Sequence, residues 1–176
     1  MNPRAIIYES ELKLVEDCMR ARPDIETGGQ LFGYWTTAGD PVVLYAIGPG
    51  PNANHQLMFF QQDISYLRAV GRELVEKYGL RHIGEWHSHH HLGLPHPSGH
   101  DAETVASTLR EKKIARFLLC IGSFDASKKV QFNPFGFVIS QDNEYCPLAW
   151  DVKAGISPFR MRIESDAEGK EAQAYD

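Results

Sequence analysis

Gly84-Glu85-Trp86-His87-Ser88-His89-His90-His91-Leu92-Gly93-Leu94-Pro95-His96-Pro97-Ser98-Gly99-His100-Asp101 holds six of the chain's eight histidines. Its first part, Arg81 to His89, reads as a strand with apolar Ile83 and Trp86 near its centre. Residues two apart on a strand share a face, so His87 and His89 project together and His90 points away. A Gly/Pro-rich connection follows. Ser98 and Asp101 then mark the first turn of a helix, because Ser-x-x-Asp ahead of an apolar-periodic run is a capping signal. Two imidazoles at a strand end thus meet a carboxylate at a helix start. Three such protein ligands leave one position of a tetrahedral zinc open, which is the pattern of a catalytic site. A bare His-x-His is more often a surface loop or an adventitious metal binder. The combination with a short turn and Ser-x-x-Asp is what raises the functional reading.

A second stretch lies far upstream: Glu26-Thr27-Gly28-Gly29-Gln30-Leu31-Phe32-Gly33. Taken alone, Glu26 is a solvated turn carboxylate, as charged residues mostly are. Together the two stretches resemble the signature of the JAMM (MPN+, JAB-domain) zinc metalloproteases. In that family His-Ser/Thr-His and Ser-x-x-Asp follow a Glu-x-Gly-Gly-like segment. His90 to Pro97 separate His89 from Ser98, one residue more than the usual spacing. This leaves a second register open, with His91 replacing His87 as a ligand, although Ser88 and Gly84-Glu85-Trp86 favour His87 and His89.

The resemblance covers about residues 26–139. It implies an α/β fold, a mixed β-sheet flanked by helices in the cytidine-deaminase-like JAB/MPN arrangement. It implies Zn2+ held by His87, His89 and Asp101, Glu26 as general acid/base, and Ser98 as a hydrogen-bond donor to the oxyanion. The implied activity is hydrolysis after the C-terminal Gly-Gly of a ubiquitin-like protein, in deconjugation or precursor maturation. The compact chain resembles the stand-alone prokaryotic, deubiquitinase-like members, some of which belong to conjugation-like antiphage pathways. The partners implied are a ubiquitin-like protein, its conjugate or precursor, and E1/E2-like pathway proteins. Three alternatives stay open: processing of a sulfur-carrier protein, a metal-free MPN-type scaffold, and a RadC-like protein linked to DNA. Other zinc and hydrolase chemistries lack their residues, for there is no His-Glu-x-x-His, Pro-Cys-x-x-Cys or Gly-x-Ser-x-Gly.

Length and composition set the remaining bounds. The chain has 176 residues, 43% of them hydrophobic, which suits one domain with a sizeable core. A net charge of −5 gives no electrostatic footprint for nucleic acid and counts against the RadC-like reading. No apolar run reaches membrane-spanning length, and the first residues lack a signal-peptide core, so a cytoplasmic location is expected. Cys18, Cys120 and Cys146 form no Cys-x-x-Cys and read as reduced, mostly packing residues.

Along the chain, Ala5 to Tyr8 reads as a short edge strand or the start of a helix capped by Ser10. Leu12, Val15, Cys18 and Met19 form that helix's apolar stripe. Gln30 to Thr36 and Val42 to Ile47 read as a strand pair joined around Ala38-Gly39-Asp40. A loop from Gly48 leads to an extended segment, Gln56 to Gln61, whose Leu57, Met58, Phe59 and Phe60 either pack beneath the loop or line a substrate groove. Asp63 caps a helix whose stripe is Ile64, Leu67, Val70, Leu74 and Tyr78, closed by Gly79. Ala102, Val105, Ala106 and Leu109 line the Ser98 helix. Ile114 to Ile121 reads as a buried strand. Val130 to Ile139 reads as a strand with a bulge, edge position or break at Pro134 and Gly136. Tyr145 to Val152 and Phe159 to Ile163 are weaker strand candidates. The domain is expected to end at residue 163, and residues 164–176 to form an acidic disordered tail.

Overall fold

The period-two and period-3.6 patterns alternate along the chain, and the computed structural model, which describes residues 3–56, 59–89, 93–139 and 144–173, shows what they build. Strand β1 (Arg4–Tyr8) runs directly into helix α1 (Glu9–Arg20). Then come β2 (Gly28–Trp35), β3 (Pro41–Ile47), the short antiparallel pair β4 (Asn54–Gln56) and β5 (Phe59–Gln61), and helix α2 (Ile64–Tyr78). Strand β6 (Arg81–Ser88), helix α3 (Gly99–Lys112), β7 (Arg116–Phe124), β8 (Val130–Val138), β9 (Tyr145–Pro147), β10 (Ala149–Lys153) and helix α4 (Pro158–Gln173) complete the described chain. Eight strands form one mixed sheet in the order β10-β1-β3-β2-β6-β7-β8-β9. The fold is therefore α/β, with a large mixed sheet and four helices.

The sheet curls back on itself. β9 lies at one end and β10 at the other, yet only Leu148 separates them in sequence. Trp150 of β10 stacks on Phe132 of β8 at 5.7 Å and donates its indole N–H to the Phe132 carbonyl. Helix α1 fills the concave face: Val15 and Met19 pack with Ile7, Leu31, Ile83, Trp86 and Cys120. On the outer face, α2 and α4 cover β2 and β3, and α3 covers β7 and β8. The two faces of the sheet thus bury separate cores, and β6, which carries His87, lies between them.

Several expectations change. β1 is an interior strand between β10 and β3, not an edge. Ser10 does not cap α1; Tyr8 holds the N-cap position without a side-chain bond, and Ser10 instead donates to Glu11. Ile64 is 49% exposed and lies off the core face of α2. β8 continues through Pro134 and Gly136 without a break. The Pro134 carbonyl accepts from Leu148 N, so the proline's nitrogen also faces away from β7 and the β7–β8 ladder loses no donor. Phe159 to Ile163 is helix, not strand, and α4 extends through most of the expected disordered tail. Its start carries a signal that explains this: Ser157 accepts the first helical bond from Met161 N, and Pro158 takes the first helical position. Cys120 is buried as expected, whereas Cys146 is exposed. Leu57, Met58, His90 and His91 lie outside the described residues.

The Gly28-Gly29 pair is forced by close approach. A Cβ on Gly29 would stand 1.9 Å from the Ile47 carbonyl oxygen and 2.6 Å from Trp86 Nε1, which itself donates to that oxygen. Both neighbours are fixed, so Gly29→Ala should cost about 3 kcal/mol or more, the overpacking term plus a lost buried hydrogen bond. Urea denaturation should show the midpoint falling sharply. Gly99→Ala, where nothing lies within 4 Å of the added Cβ, should leave it nearly unchanged.

Candidate metal centre

The pleat and the β2–β6 register create the site. Gly28 pairs with His87 and Gln30 with Glu85, which puts these four residues on one face, while Trp86 and Ser88 point to the opposite, buried face. Opposite His87 there is no side chain, so the imidazole has room. His89 lies one residue past the strand, held by its N–H on the Gly122 carbonyl. The ring nitrogens His87 Nε2 and His89 Nε2 are 3.0 Å apart. His87 Nε2 lies 3.4 Å from Asp101 Oδ1, and His89 Nε2 lies 3.4 Å from Asp101 Oδ2. Ligand atoms on a tetrahedral zinc at bond lengths of about 2.0–2.1 Å stand about 3.3–3.4 Å from one another. The two His–Asp distances match that spacing, each to a different Asp101 oxygen, and the three side chains form a group that could hold a metal ion. Imidazole lone pairs and a carboxylate this close repel one another unless a proton or a cation lies among them.

The neighbouring bonds orient these donors. His89 Nδ1 faces the Leu94 carbonyl at 3.3 Å, which places its proton there and turns the Nε2 lone pair toward the site. Asp101 Oδ2 accepts from Ser98 N at 2.7 Å and from Ser98 Oγ at 2.6 Å, and Asp101 N donates to Ser98 Oγ. This is the capping box foreseen from Ser-x-x-Asp, and it leaves Oδ1 available to an ion. In this arrangement the Ser98 hydroxyl proton is directed at Asp101.

Burial alone would raise the Asp101 carboxyl, but hydrogen bonds with His87, His89 and Ser98 overrule it and hold the group well below the usual carboxylate range. For His87, burial opposes the imidazolium, yet Asp101, Glu85 and Glu26 together raise its pKa. Burial, reinforced by Asp101, pushes the Glu85 carboxyl up against the opposing effects of His87 and Gln30.

Glu26 enters from the segment before β2. Thr27 N donates to Ser88 Oγ at 3.0 Å, and Ser88 N donates to the Thr27 carbonyl at 2.9 Å. Ser88, buried between the two histidines in sequence, therefore bolts the Glu26 segment to the ligand strand. His55 of β4 adds a second tie, its Nδ1 lying 2.9 Å from the Glu26 carbonyl while its ring packs on Phe60. Glu26, His87, His89, Ser98 and Asp101 all line one cavity of about 680 Å³, with Phe60, Ile64 and Leu67 on its apolar side. The structure thus brings Glu26, His87, His89, Ser98 and Asp101 together, while His91, the alternative ligand, lies outside the described residues. Ser88, His55, Gln30 and Glu85 were not singled out as site residues. Only the strand register, which pairs Gln30 with Glu85, brings the last two into the site.

Comparison with known proteins yields likenesses in sequence and in fold. No family model matches the chain. "Probable metalloprotease y4qB" from Sinorhizobium fredii (strain NBRC 101917 / NGR234) is 31% identical over 112 residues, covering 56% of this chain and 65% of that protein. The chain is similar to a metalloprotease. The match spans just under two thirds of that relative's length. The solution structure of protein DSY2949 from Desulfitobacterium hafniense superposes with a TM-score of 0.62 at 18% identity, covering 86% of this chain and 94% of that one. That likeness concerns the fold alone. Among the described residues, His87, His89 and Asp101 form a group able to hold a metal ion, and no helix is long and apolar enough to cross a membrane.

Proposed function

We propose that the chain is a JAMM-type zinc (iso)peptidase with the JAB/MPN fold, acting after the C-terminal Gly-Gly of a ubiquitin-like protein. The observation that carries this reading is the convergence of the His87, His89 and Asp101 ligand atoms on one point of a cavity that Glu26 also lines. The likeness to a named metalloprotease supports the reaction class. The substrate class comes from the motif resemblance, with E1/E2-like pathway proteins as the corresponding partners. The scaffold alternative is weakened because every ligand position and the acid/base position is occupied.

When bound, Zn2+ would acidify a water and polarise the scissile carbonyl. Glu26 would serve as the base for the attacking water and as the acid for the leaving nitrogen. Ser98 holds Asp101 in orientation through two hydrogen bonds. The absent side chain at Gly28 makes room for the Phe60 ring, and Phe60, Ile64 and Leu67 offer apolar surface to an extended tail. No covalent intermediate on the protein is required, and none of the three cysteines lines the cavity.

The test is cleavage of a panel of ubiquitin-like–Gly-Gly fusions and sulfur-carrier precursors by zinc-loaded protein, with and without a chelator. Cleavage at the Gly-Gly junction that disappears with the chelator and returns with zinc is expected. Cleavage that persists after the metal is removed would sink the reading. Selective cleavage of the sulfur-carrier precursors would replace the substrate class.

A further inference from the structure

We infer that Gln30 is a positioning residue: it holds Gln62 and so fixes the cavity wall against which a substrate tail would lie. The kinetic consequence rests on the peptidase reading above; the structural one rests on the bonds alone. The β2–β6 register sets Gln30 directly opposite Glu85, one pair along from Gly28 and His87 on the same face. Gln30 Nε2 donates to Gln62 Oε1 at 2.8 Å, and Gln62 Nε2 donates to the Gly48 carbonyl at 3.3 Å.

The bridge therefore runs from Gln30 on β2 through Gln62, between β5 and α2, to Gly48 just past the end of β3. Gln30 is only 8% exposed, so water cannot readily replace a lost partner. The residues around the far end, Phe60, Gln61, Gln62 and Ile64, line the cavity together with Gln30 and Glu85.

The deciding experiment is amide hydrogen exchange over residues 59–63 in zinc-loaded protein. Gln30→Leu and Gln62→Leu should each speed exchange there about tenfold, the effect of one buried hydrogen bond. The double variant should be no faster than either single one, because both break the same bridge. On a cleaved Gly-Gly fusion, Gln62→Leu should raise KM about fivefold and leave kcat within about twofold, as loss of uniform binding does. Unchanged exchange in the single variants, or additive effects in the double, would overturn the bridge. A fall in kcat with KM unchanged would overturn its role in holding substrate. If native protein cleaves nothing, the peptidase reading fails while the exchange measurement still decides the bridge.

Discussion

In zinc-loaded protein, Glu26→Gln should lower kcat by about 10²–10⁴-fold, the usual contribution of a positioned general acid/base, while bound zinc stays unchanged. The amide keeps the size and polarity of the carboxylate but cannot accept the proton or hand it on. The separation of the two effects follows from the fold. Glu26 reaches the cavity from the segment before β2, whereas the ligands come from the end of β6 and the start of α3. The backbone around Glu26 is held by Thr27–Ser88 and by His55, none of which involves the Glu26 side chain. The variant should therefore fold and load metal like the native protein. Steady-state kinetics combined with zinc quantification on the same preparation checks this. Activity within a few-fold of native would remove Glu26 from the acid/base role.

Asp101→Asn should abolish activity through the metal instead. An amide oxygen is a weaker ligand than a carboxylate, and zinc affinity should fall by more than the 10–100-fold typical of losing a partner one step further from the ion. The same amide oxygen can still accept from Ser98 N, so the α3 cap survives and the metal-free variant should melt near the metal-free native protein. A pH dependence follows as well. The folded-state pKa of Asp101 is depressed, so its contribution to stability is present above the unfolded value, about 3.9, and is lost as pH falls through the lower folded value. Metal-free native protein should lose this part of its stability on acidification below about pH 4. The variant, with no group there to protonate, should show a shallower acid limb. Thermal melts from pH 7 down to pH 3, with zinc titrations alongside, would expose both effects. Equal zinc affinity in the two proteins would remove Asp101 from the ligand set.

Much of this site could be read before any coordinates. The ligand pattern is local, since His87 and His89 are two apart on one strand and Ser98 with Asp101 forms one helical turn. The Asp63 and Gly79 caps of α2 were equally plain, because a cap is made by a residue and its nearest neighbours. What escaped depends on distant partners. Glu11 is fully buried on a helix whose sequence stripe is apolar, and it is tolerated because Arg160, 149 positions away, pairs with both its oxygens. Gln30 and Glu85 look like ordinary polar residues until the register sets them face to face. Helix α4 was missed for a different reason. Phe159, Met161 and Ile163 alternate with arginines and imitate a strand, and the local Ser157-Pro158 start signal was passed over in favour of that alternation.

The crossing at Leu148 has a consequence for how the molecule assembles. β1, made first by the ribosome, finds one neighbour in β3 soon afterwards, but its other neighbour, β10, follows more than a hundred residues later, with Arg4 paired to Ala149. Until residues 149–153 emerge, the outer edge of β1 is an unpaired template open to other chains. Such long-range parallel pairing is intrinsically slow, because the loop must close before any contact rewards it. The Trp150–Phe132 stack that draws the two ends of the sheet together must likewise form late. Nascent chains halted before residue 149 should therefore associate through the β1 edge, and completion of the C-terminal segment is the event that makes the protein safe from its own copies.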